Sequence, residues 1–233
     1  MMMQIGSREW KNVIYDGAKD LEIQIDQEKI DQFAIHAFEL LKWTRKINLT
    51  AISDPLEIAV KHFLDSIAPA PIIPPDASLL DIGSGGGFPG IPLKIMIPSL
   101  SVILIDASRK KVNFLKHVIR MLGLNNIEAA HVRAEDLSRD SISNKTYDVI
   151  ISRALSSMVN FVQMSLPLLS KDGFIIAMKG KISVKKIESA LSLIKKRSDI
   201  QKKSISNFNI ILKKYRLPYL KSERSIVIVK SIH

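Results

Sequence analysis

The feature that most constrains the fold is a glycine-dense turn at the end of a short apolar segment. Residues 79–90 read LLDIGSGGGFPG, which places five glycines within eight positions directly after a predicted strand. Glycine lets the backbone turn sharply and lets its N–H groups approach a ligand closely. A second apolar strand, residues 102–105, is followed by Asp106, 23 positions after Gly83. A glycine turn after one strand and a carboxylate at the end of the next predict a site for an adenosine-containing cofactor, whose ribose hydroxyls the carboxylate binds.

The glycine spacing by itself fits two kinds of cofactor. Counted from Gly85, the turn matches G-x-G-x-x-G, the fingerprint of dinucleotide-binding proteins. Counted from Gly83, with Asp81 two residues before it, the turn matches D-x-G-x-G-x-G, which is typical of methyltransferases that use S-adenosylmethionine. Asp81 favours the second interpretation, because a carboxylate at the end of a strand can bind the ammonium group of the methionine moiety. An NAD-dependent oxidoreductase stays the alternative, although the sequence shows no acid–base residue for hydride transfer.

The composition of the 233-residue chain argues against several classes of protein. The chain contains no cysteine, which excludes disulfides and thiolate zinc sites and fits a reducing compartment. Its five histidines are scattered without metal-ligand spacing, so we expect no metal. There is no apolar run of about 18 residues and no apolar core of a secretion signal near the N-terminus, so we expect neither a membrane span nor export. We therefore expect a cytoplasmic protein. We also expect a monomer, although the sequence does not fix the oligomeric state.

The positive charge is concentrated in the last quarter of the chain. Residues 171–233 carry 16 Lys and Arg against 4 Asp and Glu, whereas residues 1–170 carry 18 against 19. A basic region of this kind favours a polyanionic partner, with nucleic acid ahead of an acidic membrane surface. A solvated helix face in a lysine-rich composition is the alternative, and for the strongly basic segment 181–203 the sequence leaves both interpretations open.

The N-terminal third of the sequence, residues 1–75, is predicted to be a helical region. Asp26 is a plausible N-cap in front of apolar residues that recur at i, i+3, i+4 and i+7. A second helix start is indicated by Asp54 followed by Pro55, a capping residue and a proline at the first helical position. A proline-rich linker, residues 69–75, ends this region.

Residues 76–233 are predicted to form an α/β domain. Alternating strands and helices indicate βαβ units and a mostly parallel, Rossmann-like sheet. Apolar runs at 205–212 and 225–229 predict an antiparallel C-terminal hairpin, which fits the class I methyltransferase sheet better than the dehydrogenase sheet. We expect strands near 78–82, 101–105, 127–132, 147–152 and 173–178, and helices near 90–97, 108–122, 155–168 and 184–197.

The chain resembles the bacterial RsmG/GidB family, long named after glucose-inhibited division protein B. The resemblance spans roughly residues 25–230 and is carried by several motifs, of which GFPG followed later by ISRA is far more specific than the glycine pattern alone. One departure is Gly86, at a position that some members fill with Ala or Pro. The matching motifs are KINLT at 46–50, KHFLDS at 61–66, LDIGSGGGFPG at 80–90, ISRA at 151–154 and MKG at 178–180.

The resemblance implies an enzyme that uses S-adenosylmethionine to methylate N7 of a guanine in 16S ribosomal RNA of the small subunit. A non-catalytic RNA-binding assembly factor that keeps the fold is the alternative. Carried over position by position, the cofactor contacts of the family fall on Gly83, Phe88, Ala134, Glu135 and Arg153. The pattern of the turn adds Asp81 and Gly85 to this set, and the carboxylate after the second strand adds Asp106.

Several of these residues also have a purely structural interpretation. Phe88 can belong to the core, Glu135 can begin an exposed helix, and Arg153 can form an internal ion pair. His62 and Asp65, three positions apart on a predicted helix, can bind each other or border the substrate.

We predict that no side chain acts as a catalytic general base. N7 of guanine carries a free lone pair at neutral pH and needs no deprotonation before it attacks a methyl group. The task of the enzyme is then to hold the reacting atoms in line and shield them from water. His62 is the nearest rival, because an imidazole can titrate in the working pH range.

Overall fold

In the computed structural model, helices from the N-terminal region pack against one face of a seven-stranded sheet. The first of them, α1 (Arg8–Asp20), was not predicted from the sequence. Ser7 caps this helix by accepting a hydrogen bond from the N–H of Trp10 at 3.2 Å. From Trp10 onward the buried residues of α1 recur at i, i+3, i+4, i+7 and i+8, a signal that the prediction overlooked. The structure describes residues 3–133, 136–137, 142, 145–153, 157–183, 187, 189, 192 and 207–232.

The two predicted N-terminal helices are confirmed at their predicted starts. Helix α2 (Gln27–Thr44) follows Asp26, whose side chain accepts a hydrogen bond from the backbone of Lys29 at 2.9 Å. Asp54 caps the next helical segment, α3, in the same way. None of the helices in the described parts of the chain is long and apolar enough to cross a membrane. Segment α3 consists of an α-helical turn at Pro55–Glu57, a π-helical stretch at Ile58–Leu64 and a second α-helical turn at Asp65–Ile67.

The sheet confirms the predicted α/β architecture. Its strands are β1 (Ser78–Ile82), β2 (Ser101–Asp106), β3 (Ile127–His131), β4 (Tyr147–Arg153), β5 (Leu169–Lys179), β6 (Asn207–Arg216) and β7 (Glu223–Ile232). The helices between them are α4 (Gly90–Met96), α5 (Arg109–Met121) and α6 (Met158–Ser165). The strand order is β3-β2-β1-β4-β5-β7-β6, and β7 runs antiparallel to both of its neighbours, as the predicted hairpin requires.

Several predicted element boundaries differ from the structure or fall outside it. Strand β6 continues to Arg216 rather than ending near residue 212, and β7 spans Glu223–Ile232 rather than 225–229. Strand β5 begins at Leu169 rather than near residue 173, because Leu169 already pairs with Tyr147 before a register shift in β4. The helix predicted at 184–197 lies, apart from three isolated positions, outside the described residues.

Successive residues of each strand face opposite sides of the sheet, and each side has its own apolar core. Leu79 and Leu104 face the N-terminal helices, α4 and α5, whereas Leu80 and Ile105 face α6. Residues on both sides of position 75 contribute to the first core, so the N-terminal helices are packed directly onto the sheet. The division of the chain into an N-terminal helical region, 1–75, and a methyltransferase domain, 76–233, stays a prediction from the sequence.

Candidate cofactor site

The glycine turn after β1 lies at the carboxyl edge of the sheet, beside the end of β2. The N–H groups of Gly83 and Ser84 both donate to the carbonyl oxygen of Ile105, at 2.9 and 3.0 Å. Gly85 and Gly87 have φ angles of +56° and +89°, a region that residues with a side chain rarely adopt. The turn is therefore held against β2 in a conformation that requires glycine.

Asp106, the last residue of β2, is hydrogen-bonded to the turn. Its carboxylate accepts the N–H of Gly85 at 3.0 Å and the N–H of Ser108 at 2.8 Å, and the residue is 8% exposed. Gly85 and Asp106 thus lie together, as the sequence predicted. A carboxylate oxygen accepts more than one hydrogen bond, so both oxygens retain capacity for a ribose hydroxyl. Ribose binding by Asp106 stays a prediction.

Asp81 lies beneath the turn and is fully buried. Its Oδ2 accepts the N–H of Gly90, at the start of α4, at 3.0 Å, while Oδ1 has no hydrogen-bond partner among the described residues. Burial raises the pKa of Asp81 to about 7. A Cβ atom at Gly90 would lie 2.3 Å from Leu104 Cδ2 and 2.8 Å from Asp81 Oδ2, so the glycine allows α4 to approach the sheet. Asp81 therefore anchors the start of α4. Binding of the methionine ammonium by its carboxylate stays a prediction.

Phe88 stacks with rings contributed by the N-terminal helices. The His36 ring on α2 lies 4.7 Å from the Phe88 ring at 12°, and the His62 ring on α3 lies 4.6 Å from it at 11°. The guanidinium carbon of Arg153, at the end of β4, lies 5.1 Å from the centre of the Phe88 ring, within cation–π range. Phe88 is buried, so its core interpretation is supported, while its contact with a cofactor stays a prediction.

His62 is hydrogen-bonded at both ring nitrogens. Nη2 of Arg153 lies 3.3 Å from Nδ1, and Oγ1 of Thr50 lies 2.9 Å from Nε2. A guanidinium can only donate, so Nδ1 is the acceptor, and Nε2 carries the proton and donates to Thr50. Burial, followed by the positive charge of Arg153, lowers the pKa of His62 to about 3. The imidazole is therefore neutral at physiological pH.

Asp65 connects α3 to the β6–β7 hairpin and to the end of β4. Its Oδ1 accepts the hydroxyl of Tyr215 at 2.7 Å and lies 3.4 Å from Nε of Arg224. Its Oδ2 lies 3.5 Å from Nη1 of Arg153, which also donates to the carbonyl of Lys61 at 2.8 Å. Burial and the Asp65 carboxylate raise the pKa of Tyr215. The internal ion pair considered for Arg153 is thus present, and cofactor binding by Arg153 stays a prediction.

A cavity of about 480 Å³ opens at the same edge of the sheet. A second cavity of about 560 Å³ shares Arg224 with the first and extends along the β6–β7 hairpin. The second cavity is lined by Lys181, Lys214, Arg216 and Arg224, with one carboxylate, Glu223. We call this surface the hairpin groove. The first cavity is lined by Ile52, Lys61, His62, Asp65, Arg153, Met178, Lys179, Gly180 and Arg224.

Six of the eight predicted cofactor residues lie in the described part of the chain, and all six surround the turn or the stack beside it. The turn and the strand ends that bind it contain Gly83, Gly85, Asp81 and Asp106, and the stack beside it contains Phe88 and Arg153. Ala134 and Glu135 lie outside the described residues.

Three residues that hold this edge together were not predicted from the sequence. His36 lies on the buried face of α2, where the only signal was a histidine within an apolar stripe. Tyr215 and Arg224 contact Asp65 across 150 and 159 positions of sequence, and no local pattern predicts such a contact.

The strand order, the glycine turn after β1 and the carboxylate at the end of β2 together define a class I, Rossmann-like methyltransferase. The inserted antiparallel strand β7 distinguishes this sheet from the dinucleotide-binding order 3-2-1-4-5-6. The chain belongs to the GidB family, described as rRNA small subunit methyltransferase G, whose family model matches residues 29–214. Membership of this family, which uses S-adenosylmethionine, decides against an NAD-dependent oxidoreductase.

Curated relatives resemble the chain over three quarters or more of its length. The enzyme named ribosomal RNA small subunit methyltransferase G from Geobacter sulfurreducens is 40% identical over 92% of this chain and 94% of its own length. The protein of the same name from Geobacter metallireducens is 44% identical over 75% of this chain and 78% of its own length.

Solved structures with low sequence identity share the fold. The ribosomal protein L11 methylase from Lactobacillus delbrueckii subsp. bulgaricus has a TM-score of 0.54 at 18% identity, covering 74% of this chain and 79% of that protein. A SAM-dependent methyltransferase from Aquifex aeolicus has a TM-score of 0.52 at 17% identity, covering 78% of this chain and 97% of that protein. At this level of identity the likeness supports the fold alone.

Proposed function

We propose that this chain uses S-adenosylmethionine to methylate N7 of a guanine in 16S ribosomal RNA of the small ribosomal subunit. The observation that carries the proposal is the glycine turn joined to Asp106 at the carboxyl edge of a methyltransferase-type sheet. The rRNA substrate is supported by membership of the GidB family, and the guanine N7 target by the known activity of that family. When bound, S-adenosylmethionine supplies the methyl group.

We assign the cofactor contacts to the edge formed by β1, β2 and β4. Asp106 accepts the ribose hydroxyls, and Oδ1 of Asp81 accepts the methionine ammonium. The second assignment is supported by the buried position of Asp81 and by the lack of another partner for Oδ1 among the described residues. The remaining contacts, assigned from the family resemblance and the turn pattern, are Gly83, Gly85, Phe88, Ala134, Glu135 and Arg153.

The proposed chemistry needs positioning rather than proton transfer. N7 of guanine is an acceptor with a free lone pair, so it attacks the methyl group directly. His62, the nearest candidate base, uses one ring nitrogen as an acceptor for Arg153 and the other as a donor to Thr50. We therefore assign His62 to the support of Arg153 and Phe88 and assign no side chain as a general base.

The hairpin groove is the surface that we propose for the RNA backbone. The groove adjoins the first cavity at Arg224. An RNA strand that crosses the groove therefore also reaches the carboxyl edge of β4 and β5. Lysine and arginine side chains bind the phosphates of a nucleic-acid backbone. We further propose that the protein acts as a monomer in the cytoplasm, where ribosomal subunits are assembled. Light scattering behind size-exclusion chromatography tests the monomer.

Methyl transfer to RNA of known methylation state tests the proposal. The substrates are small subunits and naked 16S rRNA from a strain that lacks the corresponding 7-methylguanosine, incubated with S-adenosylmethionine carrying a labelled methyl group. Digestion and mass spectrometry should detect labelled 7-methylguanosine, and subunits from the parent strain, already methylated, should accept no label.

Two results would overturn the proposal in different ways. Label in a different nucleoside would contradict guanine N7 as the target. Absence of S-adenosylmethionine binding in calorimetry would contradict the enzyme and favour an RNA-binding assembly factor.

A further inference from the structure

We infer that His36 of α2 is a positioning residue for the cofactor turn, because its imidazole fixes the orientation of the peptide group between Gly86 and Gly87. The inference rests on the proposed cofactor function of the turn. Through His36, the N-terminal helices contribute to cofactor binding by ordering the backbone of the turn. His36 itself does not contact the ligand.

His36 is hydrogen-bonded to the backbone of the turn. His36 is fully buried, and its Nε2 lies 2.8 Å from the carbonyl oxygen of Gly86. A carbonyl oxygen can only accept, so Nε2 carries the proton and donates it. Burial lowers the pKa of His36 to about 4, which keeps the ring neutral at physiological pH. Nδ1 has no partner among the described residues, so among them the bond to Gly86 is the one polar attachment of the ring.

The same peptide group is also held from its other side. The N–H of Gly87 donates to the carbonyl of Ser84 at 2.8 Å. The carbonyl of Gly86 and the N–H of Gly87 belong to one planar unit and point in opposite directions, so the two bonds together fix the rotation of that plane. Glycine on both sides offers little steric resistance to such a rotation. The hydrogen bonds must therefore supply the constraint that side chains supply elsewhere.

Packing shows that α2 shapes the turn closely. A Cβ atom at Gly86 would lie 2.9 Å from Cδ1 of Leu40, and a Cβ atom at Gly87 would lie 3.3 Å from Cε1 of His36. The His36 ring also stacks on Phe88, the residue that follows. Three consecutive residues of the turn, 86–88, thus lie against α2. His36 makes the polar contact between this helix and the backbone of the turn.

Two substitutions separate the hydrogen bond from the ring. His36→Phe keeps a ring that can stack on Phe88 but removes the donor. His36→Gln places an amide N–H near the position of Nε2 but removes the ring. Phe33→Leu is the matched control, because Phe33 is equally buried on the same helix and stacks on Phe63 of α3 at 4.9 Å.

Calorimetric affinity for S-adenosylmethionine, KM for each substrate and Tm are measured for all variants. We expect His36→Phe to bind S-adenosylmethionine about tenfold more weakly, as the loss of a donor to a buried carbonyl implies, with KM for RNA unchanged. His36→Gln should stay within about threefold of the wild type, since its amide restores the bond. Phe33→Leu should lower Tm and leave the affinity unchanged.

The inference is overturned if His36→Phe binds S-adenosylmethionine as tightly as the wild type. It is also overturned if His36→Phe and His36→Gln lose affinity equally, since the ring and not the donor would then matter. Either result leaves the proposed function intact when the wild type binds the cofactor and methylates rRNA. A wild type that binds S-adenosylmethionine but methylates no rRNA contradicts the proposed function alone, and one that does not bind it overturns both.

Discussion

Several side chains at the cofactor edge have their orientations set by hydrogen bonds within the protein. Asp106 accepts two backbone N–H groups, and His62 uses both ring nitrogens. Arg153 is held by a backbone carbonyl and by the carboxylate of Asp65. Side chains that are already ordered lose less conformational entropy when a ligand binds. At the scale of residues, the site is therefore preorganised by contacts within the chain.

We expect Asp106→Asn to weaken S-adenosylmethionine binding about 10- to 150-fold, since a hydrogen bond to a charged acceptor contributes about 1.5–3 kcal/mol. Titration calorimetry measures the change. The matched control is Asp148→Asn, because Asp148 also accepts several hydrogen bonds, from Ser78 and Ser170, but lies at the amino end of β4. The control should lower Tm without changing affinity. Unchanged affinity in a folded Asp106→Asn protein would place the ribose elsewhere.

Single-turnover methyl transfer should be nearly flat from about pH 6.5 to 8.5, because no base has to lose a proton before N7 attacks. The reaction is measured at saturating cofactor, so that ionisation of Asp81, whose pKa burial raises to about 7, alters cofactor affinity and not the rate. His62→Gln should retain most of the chemical step. A general base contributes about 10²–10⁴-fold, so a tenfold rise per pH unit that disappears in His62→Gln would contradict the mechanism.

At the scale of elements, the site depends on how closely α2 and α4 approach the turn. Helix α4 starts at Gly90, where the backbone N–H meets Asp81 and the missing side chain leaves room for Leu104. Helix α2 meets the turn through His36 and Leu40. The turn is thus enclosed by one helix that follows it in sequence and one that comes from the N-terminal region.

We expect Gly90→Ala to lower the free energy of unfolding by about 1–3 kcal/mol, the usual cost of overpacking, because the new methyl group meets two buried side chains. Urea denaturation measures this change. Gly180→Ala is the control, since a Cβ atom there meets nothing within 4 Å, and its stability should match the wild type. Equal stability of the two variants would show that α4 can shift without cost.

The hairpin groove predicts a defined salt dependence of RNA binding. Each phosphate contact with a single strand contributes about 0.7 to the slope of log affinity against log salt concentration. Replacing both Lys214 and Arg216 with Gln should therefore reduce the slope by about 1.4. The control replaces Lys171 and Lys230, near the amino end of β5, and should leave the slope unchanged.

An unchanged slope in the Lys214 and Arg216 variant would show that the groove is only solvated. The basic residues Lys185, Lys186, Lys195, Lys196 and Arg197, for which the sequence also predicted RNA contacts, lie outside the described residues. Replacing these five residues with Gln and measuring the same salt dependence tests that prediction separately.

At the scale of the whole molecule, the N-terminal helices and the sheet share a core that contains neutral, buried histidines. The pKa of His36 is lowered to about 4 and that of His62 to about 3, in both cases chiefly by burial. In the unfolded protein these histidines bind a proton once the pH falls below about 6.5. In the folded protein they stay neutral until the pH approaches about 4 for His36 and about 3 for His62. These histidines thus stabilise the fold above about pH 6.5, and the stabilisation is lost as the pH falls. Asp81, with its raised pKa, acts in the opposite direction.

Between about pH 5 and 6, His62→Gln should therefore flatten the dependence of unfolding free energy on pH by up to about 1.4 kcal/mol per pH unit, the effect of one proton. Urea denaturation at several pH values measures the slope. Phe33→Leu is the control, because it removes a buried ring and no titratable group, so it should lower the free energy of unfolding without changing the slope. A slope identical to the wild type in His62→Gln would mean that this imidazole is protonated in the folded protein.

The sequence by itself determined the features that depend on neighbouring residues. Asp26 and Asp54 mark helix starts because a capping side chain binds a backbone group three positions away. The positions of the glycine turn and of Asp106 follow because apolar runs become strands and parallel strands end at one edge of the sheet. Their position at the same edge of the sheet was therefore predictable from the sequence, whereas the hydrogen bond between Gly85 and Asp106 was found only in the structure.

Only the tertiary structure decided what surrounds the turn. His36 and Gly86 are 50 positions apart, and Tyr215 and Asp65 are 150 apart, so no periodicity or spacing predicts that they meet. The insertion of β7 between β5 and β6 also arises from pairing between distant strands. A local apolar pattern predicts a strand but does not predict which strand it pairs with. Hydrogen bonds and packing between remote segments depend on how the helices lie on the sheet, and that arrangement is a property of the whole core.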